Sequence, residues 1–173
     1  LNDICHEMST CFADLLSDRQ VTFIPGDAEQ LSFPSGQDLI VSCSALQWFV
    51  SPEQFFKRCN ALLSGHGYFA FSTFGKENLK EIAAVTGSGL HYYSLEELKK
   101  SLSMHYNIVT AGEERIRLTF ATPLDVLYHL KHTGVTAVCR QAWTKGDLQE
   151  FCDKYAKLFS CGNAVTLTYH PLY

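Results

Sequence analysis

The chain has no excess of basic residues, no long apolar run and no paired-cysteine spacing, and each absence removes a class of protein. Fourteen lysines and arginines stand against 18 acids, a net charge of −4. The broad basic face that a nucleic-acid binder turns toward phosphate is therefore missing. No stretch approaches the ~18 apolar residues of a membrane-spanning helix. No secretory signal segment opens the chain, and no internal repeat, low-complexity tract or linker interrupts it. The first residue is Leu1 and not a methionine, which leaves room for a segment upstream. The seven cysteines (Cys5, Cys11, Cys43, Cys59, Cys139, Cys152 and Cys161) include no C-x-x-C pair and are odd in number. Such a set reads as small buried hydrophobes of a reducing, cytoplasmic compartment and not as a disulfide framework.

What is present is a globular composition, 46% hydrophobic and 18% charged over 173 residues, the size of one domain with a sizeable core. Val21–Ile24 reads as a short strand ending at Pro25-Gly26. Asp38–Cys43 is a continuous apolar run of the kind buried on both faces in a parallel sheet. Ser51-Pro52-Glu53 predicts a helix start, with Phe55, Phe56, Cys59, Leu62 and Leu63 as its apolar stripe and Gly65 as its stop. Tyr68–Thr73 is the next strand. Strand, strand, helix, strand in that order specifies an α/β fold with a parallel sheet.

The second half predicts a helix over Lys76–Val85, ended by Gly87, and a capping box at Ser94 and Glu97 before Leu95, Leu98 and Leu102. Ile108–Thr110 and Arg115–Phe120 read as strands, the latter with one exposed face. Thr122-Pro123 opens a helix that ends at Gly134. Thr144 caps another, with Leu148, Phe151, Tyr155, Leu158 and Phe159 on its buried stripe. Val165, Leu167 and Tyr169 alternate with Thr166, Thr168 and His170 in a last strand.

In open α/β sheets ligands bind beyond the carboxyl ends of the strands, so residues just after each strand carry the chemistry. Asp3 follows what reads as the tail of a strand, where a carboxylate can accept from both hydroxyls of a ribose. Asp27 follows the next, where a carboxylate can accept from an adenine amino group while Ala28 leaves space for the ring. Cys43 and Ser44 close the third, followed by Ala45-Leu46-Gln47-Trp48. Taken singly, Asp3 reads as well as a helix cap and Asp27 as a turn residue. Taken in order, they predict a shared rim for a nucleoside. His129 and His132, three apart, lack the further ligands that zinc requires.

The stretch GDAEQLSFPSGQDLIVSCSALQWF resembles the class I S-adenosylmethionine (SAM) methyltransferase pattern D-x-x-x-L-P-F…D-x-I-x-S. Ser42–Trp48, Leu130-Lys131-His132-Thr133-Gly134-Val135, Leu148 and Leu167-Thr168-Tyr169-His170 are similar to a narrower group, the malonyl-thioester carboxyl methyltransferases of biotin synthesis. The resemblance implies a doubly wound, Rossmann-like fold, mostly parallel with an antiparallel last strand and a helical insertion at about 122–162. It also implies that the family's first strand and Gly-rich loop, which hold the carboxypropyl end of SAM, lie outside this sequence, so that the fold is N-terminally incomplete and SAM affinity weak. By the same resemblance Asp3 and the adjoining Ile4 match the ribose site, and Asp27 and Ala28 the adenine site. Cys43 and Ser44 lie beside the methionine moiety, Cys43 standing where the family often carries an amide. Gln47 and Trp48 border the acceptor pocket.

The implied reaction moves the SAM methyl onto the free carboxylate of a malonyl thioester carried on an acyl carrier protein or on coenzyme A. With a pKa near ~4 that nucleophile is ionised at neutral pH, so no general base is expected. Alignment and removal of water carry the rate. Trp48, Phe49, Phe74, Tyr92 and Tyr93 are candidate pocket walls, tolerant of a sulfonium cation. Gln47, His129, His132 and Arg140 are candidates to orient the carboxylate. Lys131, His132, Arg140 and Lys145 form a candidate dock for an acidic carrier protein. Two other readings remain open: a methyltransferase of the same fold acting on a quinone or phenol, and a non-catalytic binding subunit that kept the fold.

Overall fold

The computed structural model describes residues 1–135 and 143–173. They form two compact units, one of Leu1–Ile40 with Phe49–Phe69 and one of Val41–Trp48 with Ala70–Tyr173.

The first unit opens with β1 (Asn2–Asp3), a 3-10 turn at His6–Phe12, α1 (Ala13–Leu16) and β2 (Ile24–Pro25). β1 and β2 run parallel, Asn2 opposite Ile24 and Asp3 opposite Pro25. The strand expected from Val21 begins only at Ile24, because the Val21 amide donates to the Asp18 carbonyl (3.0 Å) in a turn. α2 (Pro52–Leu62) forms as its proline and first-turn acid dictate. Phe55, Phe56 and Cys59 are its buried stripe, and Phe55 packs edge-on against Phe49 with ring centroids 4.8 Å apart. Gly65 does not stop this helix. Leu63 is already extended (φ −70, ψ 148), and the chain passes directly into β4 (Leu63–Phe74), with Gly65 inside the strand.

β3 (Gln37–Cys43) and β4 each begin in the first unit and end in the second, in the strand order β3-β4-β8. Gly67 lies where a Cβ would come within 2.6 Å of the Gln37 carbonyl oxygen; only glycine permits that approach. β3 departs from expectation: Leu39 and Val41 remain 57% and 58% exposed. These two residues, two apart on the strand, share one face of it.

The second unit continues with α3 (Lys80–Thr86), α4 (Leu95–Leu102), β5 (Ile116–Phe120), α5 (Pro123–His132), α6 (Lys145–Phe159), β6 (Ser160–Cys161), β7 (Ala164–Tyr169) and β8 (Pro171–Leu172). α3 starts later than its sequence suggests because the preceding residues serve another segment. The Gly75 and Leu79 amides donate to the carbonyls of His170 (2.7 Å) and Thr168 (2.8 Å). Ile108–Thr110 takes no strand pairing. Capping boxes close at Ser94 with Glu97, Thr122 with Asp125 and Thr144 with Asp147, which offsets the orphan amides of each first turn. β7 pairs antiparallel with β5 on one side and β6 on the other, and β8 pairs antiparallel with β4. The fold is α/β with a mixed set of strands, parallel at β1–β2 and antiparallel toward the C-terminus.

The core holds Leu79, Ile82, Val85, Val126, Leu130, Phe151, Tyr155, Val165 and Leu167. As the central strand of its group, β7 is buried from Val165 through Thr168, against the alternation its sequence suggests. Its polar side is satisfied internally. The Thr168 amide and hydroxyl donate to the buried Glu81 carboxylate (3.0 and 2.6 Å), and Tyr155 donates to the Thr166 carbonyl (2.8 Å). On α6 the buried stripe steps by four residues from Phe151 to Tyr155, leaving Leu158 half exposed. The cysteines also depart from the reading as buried hydrophobes. Among the six described, all free, Cys59 is buried and Cys5, Cys11, Cys43 and Cys161 are exposed, lying in or beside the 3-10 turn at His6–Phe12 or in strands β3 and β6. Burial pushes the Cys59 thiol up to about 12, so it stays a thiol.

Candidate functional site

Asp3 is the last residue of β1, and Asp27 lies two residues past the end of β2, its parallel neighbour. Asp3 faces Pro25, and the Gly26 amide donates to the Asp3 carbonyl (2.9 Å). Gly26 adopts φ +133, a conformation that side-chain-bearing residues rarely take, and this turns the chain into Asp27. The Asn2 side-chain amide donates to the carbonyls of Ile24 (2.8 Å) and Gly26 (3.0 Å). It locks the end of β2 beside β1.

Asp3 Oδ1 accepts from the Cys5 amide (2.8 Å). Asp27 organises the turn that follows it: Oδ1 accepts from the Glu29 amide (2.8 Å) and Oδ2 from the Gln30 side-chain amide (2.9 Å), and its carbonyl accepts from the Gln30 and Leu31 amides (both 3.0 Å). A carboxylate offers about four acceptor positions, so both acids keep capacity for hydroxyl or amino donors of a ligand. Ile4, 77% exposed, and the small Ala28 adjoin them. The residues present therefore fit the nucleoside part of SAM.

In the second unit β3 ends at Cys43, and Ser44 takes a left-handed conformation (φ 49). A non-glycine residue held there marks a turn that its surroundings over-determine. The Ser44 amide donates to the Ser72 carbonyl (2.9 Å) and hydroxyl (3.2 Å). The Gln47 side chain spans the turn: its amide nitrogen donates to the Ser44 carbonyl, and its oxygen accepts from the Thr73 hydroxyl (3.1 Å). Trp48 is 47% exposed and Leu46, beside it, is buried. Gln47 thus braces the turn with both ends of its amide.

Further along the second unit the structure brings two substrate candidates together through a residue chosen only as part of a motif. The Tyr169 ring lies 6.1 Å from Phe74 and 5.9 Å from His129, and the Tyr169 hydroxyl bonds His129 Nε2 (3.0 Å). Burial raises the Tyr169 phenol, opposed by a hydrogen bond to Thr133. Tyr92 accepts from the buried Asn78 amide (3.1 Å), and Tyr93 packs edge-on against His91. Lys131, His132 and Lys145 are exposed. Arg140 lies outside the described residues.

Two first-unit residues escaped the sequence reading. Glu29 accepts from the amides of Val50 (2.8 Å) and Ser51 (2.7 Å) at the start of α2. The Ser51 side chain makes no cap bond of its own, so the helix start expected at Ser51 is capped from a distance. Arg58, on α2, donates to the carbonyls of Ala28 (3.4 Å), Glu29 and Leu31. A signal was available: Arg58 lies three residues after Phe55 and one before Cys59, a charge set into an apolar stripe.

Residues 1–71 match the family model described as a methyltransferase domain. In three dimensions the chain is similar to a proposed methyltransferase of Bacillus halodurans C-125, with TM-score 0.66, 15% identity, and 99% of this chain and 78% of that one covered; this likeness speaks for the fold. All of the chain aligns at 56% identity with a malonyl-acyl-carrier-protein O-methyltransferase of Bacteroides fragilis, of which it spans 35%. It also aligns whole, at 55% identity, with the enzyme of that name from Bacteroides thetaiotaomicron, of which it spans 70%. The chain belongs to the malonyl-acyl-carrier-protein O-methyltransferase family.

Proposed function

We propose that the chain transfers a methyl group from SAM to the free carboxylate of a malonyl thioester on an acyl carrier protein, an early step of biotin synthesis. The observation that carries the reading is the pairing of 55% identity across the whole chain with two carboxylates, one closing a strand and one just past the end of its parallel neighbour. Asp3 with Ile4 would hold the ribose, Asp27 with Ala28 the adenine, and Cys43 and Ser44 the methionine moiety. When bound, SAM supplies an electrophilic methyl on a sulfonium. The malonyl carboxylate, with a pKa of about 4, needs no proton removed. The protein's part is to orient that carboxylate and to exclude water. His129 and Tyr169, already bonded to one another beside Phe74, supply polar groups against an aromatic wall. His132, Gln47, Trp48 and Arg140 complete the candidate set. Exposed Lys131, His132 and Lys145 suit an acidic carrier, and four exposed free thiols suit a reducing cytoplasm. Among the described residues no helix is long and apolar enough to cross a membrane.

The test is methyl transfer from labelled SAM to malonyl-acyl carrier protein, malonyl-coenzyme A and a phenolic acceptor. The expected result is transfer to the malonyl thioesters and none to the phenol, abolished or strongly reduced by Asp3→Ala. Transfer to the phenol instead would overturn the assignment.

A further inference from the structure

We infer that Glu29 and Arg58 form a reciprocal clasp that positions the Asp27–Leu31 turn for purine recognition, making α2 the determinant of base selectivity. The inference rests on Asp27 and Ala28 contacting adenine, as proposed above. Residues 27–31 belong to no helix or strand beyond their own turn, and a turn of that kind fixes its backbone poorly without outside support. Support comes from α2 in both directions. The turn gives a carboxylate to the helix start, Glu29 accepting from the Val50 and Ser51 amides at 2.8 and 2.7 Å. The helix returns a guanidinium, which takes the carbonyls of Ala28, Glu29 and Leu31. A planar fork bonded to three carbonyl groups of one short turn fixes the path of the backbone, which a lysine's single ammonium would not do.

The clasp borders an open cleft of about 290 Å³ lined by Asp27, Glu29, Val50, Ser51, Gln54 and Arg58. Arg58 and Glu29 spend their polar atoms on the backbone, and Asp27 on its own turn with acceptor positions left over. A purine amino group entering there would meet Asp27 as acceptor. Its selectivity over an oxo group depends on the turn being held still, because an oxo group facing a carboxylate leaves two acceptors opposed. Arg58 and Glu29 are thus positioning residues: they line the cleft, but their bonded polar atoms are engaged by the backbone and act through the turn that carries Asp27.

The experiment measures, by calorimetry on the full chain, the affinities of S-adenosylhomocysteine and of its inosine counterpart, in which an oxo group replaces the purine amino group. Wild type, Arg58→Lys, Arg58→Ala, Glu29→Gln and Asp27→Asn are compared, with kcat and KM for SAM alongside. Wild type should prefer the adenosine compound by about tenfold or more, the scale of one hydrogen bond to a charged group. Arg58→Lys and Arg58→Ala should bring that ratio close to one and raise KM for SAM while kcat at saturation changes by less than about threefold. Glu29→Gln, which keeps one acceptor, should move the ratio part of the way. Equal loss of both ligands in Arg58→Lys and Glu29→Gln, or an unchanged ratio, overturns the clasp. If wild type shows no preference, or Asp27→Asn leaves it intact, the adenine role of Asp27 itself fails, and the clasp with it. Should Arg58→Ala not fold, the Lys and Gln variants still decide.

Discussion

The two units differ in what they do with burial. In the second, Tyr155, Val126 and Leu167 are fully or almost fully buried, and even the polar Glu81, Thr166 and Thr168 lie inside with their hydrogen bonds satisfied. In the first, deep burial is confined to one face of α2, and the carboxylates proposed to hold the nucleoside stand at or just past the ends of two-residue strands. Deep packing is concentrated in the second unit, and the turns proposed to hold the nucleoside lie in the first. The recognition turns are ordered by directional bonds, from Asn2, Glu29 and Arg58, and not by packing. Such turns can be reshaped for a ligand without disturbing a core.

That contrast breaks if damage to the core and damage to the turns have the same consequences. The largest effect is expected from Tyr155→Ala, which removes a fully buried ring and leaves the Thr166 carbonyl without its donor. Urea unfolding should show a loss of about 3–5 kcal/mol, and a loss below 1 kcal/mol would refute the packing argument. Asp3→Ala should do the opposite: S-adenosylhomocysteine binding weakens by about 1.5–3 kcal/mol, or roughly tenfold to a hundredfold, while the unfolding midpoint barely moves. A midpoint shift as large as that of Tyr155→Ala would show that Asp3 serves the fold. Gly75→Ala places a methyl 2.6 Å from the ring of His170. That ring is buried and held by the Glu77 amide (3.1 Å) and Glu113 (3.0 Å), so it cannot swing away. Destabilisation of about 1–3 kcal/mol follows, and thermal unfolding measures it. Thr144→Ala removes one capping box, for about 1 kcal/mol, read as lowered amide protection in the first turn of α6.

The smallest effect concerns pH and sharpens the comparison by location. Arg115, then Lys80, hold the Glu77 carboxyl down at about 2, and Lys76, then the Ser94 amide, hold Glu97 at about 2. Both belong to the second unit. A depressed carboxylate contributes stability above its unfolded pKa, near 4.3, and that contribution is lost as pH falls from there through about 2. These pairs are exposed, so the contribution is small. Hydrogen exchange should show α4 protection declining across that window, with Glu97→Gln flattening the decline. An unchanged profile in the variant would remove the Lys76 pair from the account.

The parts of this molecule legible in its sequence are those built by near neighbours. Ser94, Thr122 and Thr144 announce their helices because a capping box closes within three residues. Asp27 stands out because a strand end can be read from a short apolar run followed by a turn, and Asp3 because it follows what reads as the tail of a strand. The family was legible from residue patterns around Asp27–Trp48 and Leu167–His170, which no argument from periodicity would have supplied.

What lay beyond reach depends on groups far apart in the chain. Glu29 caps a helix that begins more than twenty residues later, Arg58 holds carbonyls nearly thirty residues earlier, and Glu81 meets Thr168 across 87 residues. The same applies to exposure. The run Asp38–Cys43 carries its strand character locally, but whether Leu39 and Val41 are covered is decided by what packs against the face they share. Sequence alone determined the capping boxes at Ser94, Thr122 and Thr144 and the order of the acids Asp3 and Asp27, because short-range hydrogen bonding and chain order suffice for these. Tertiary structure alone decided which polar side chains are buried, which turn is braced and by what, because those bonds exist only after distant segments have met.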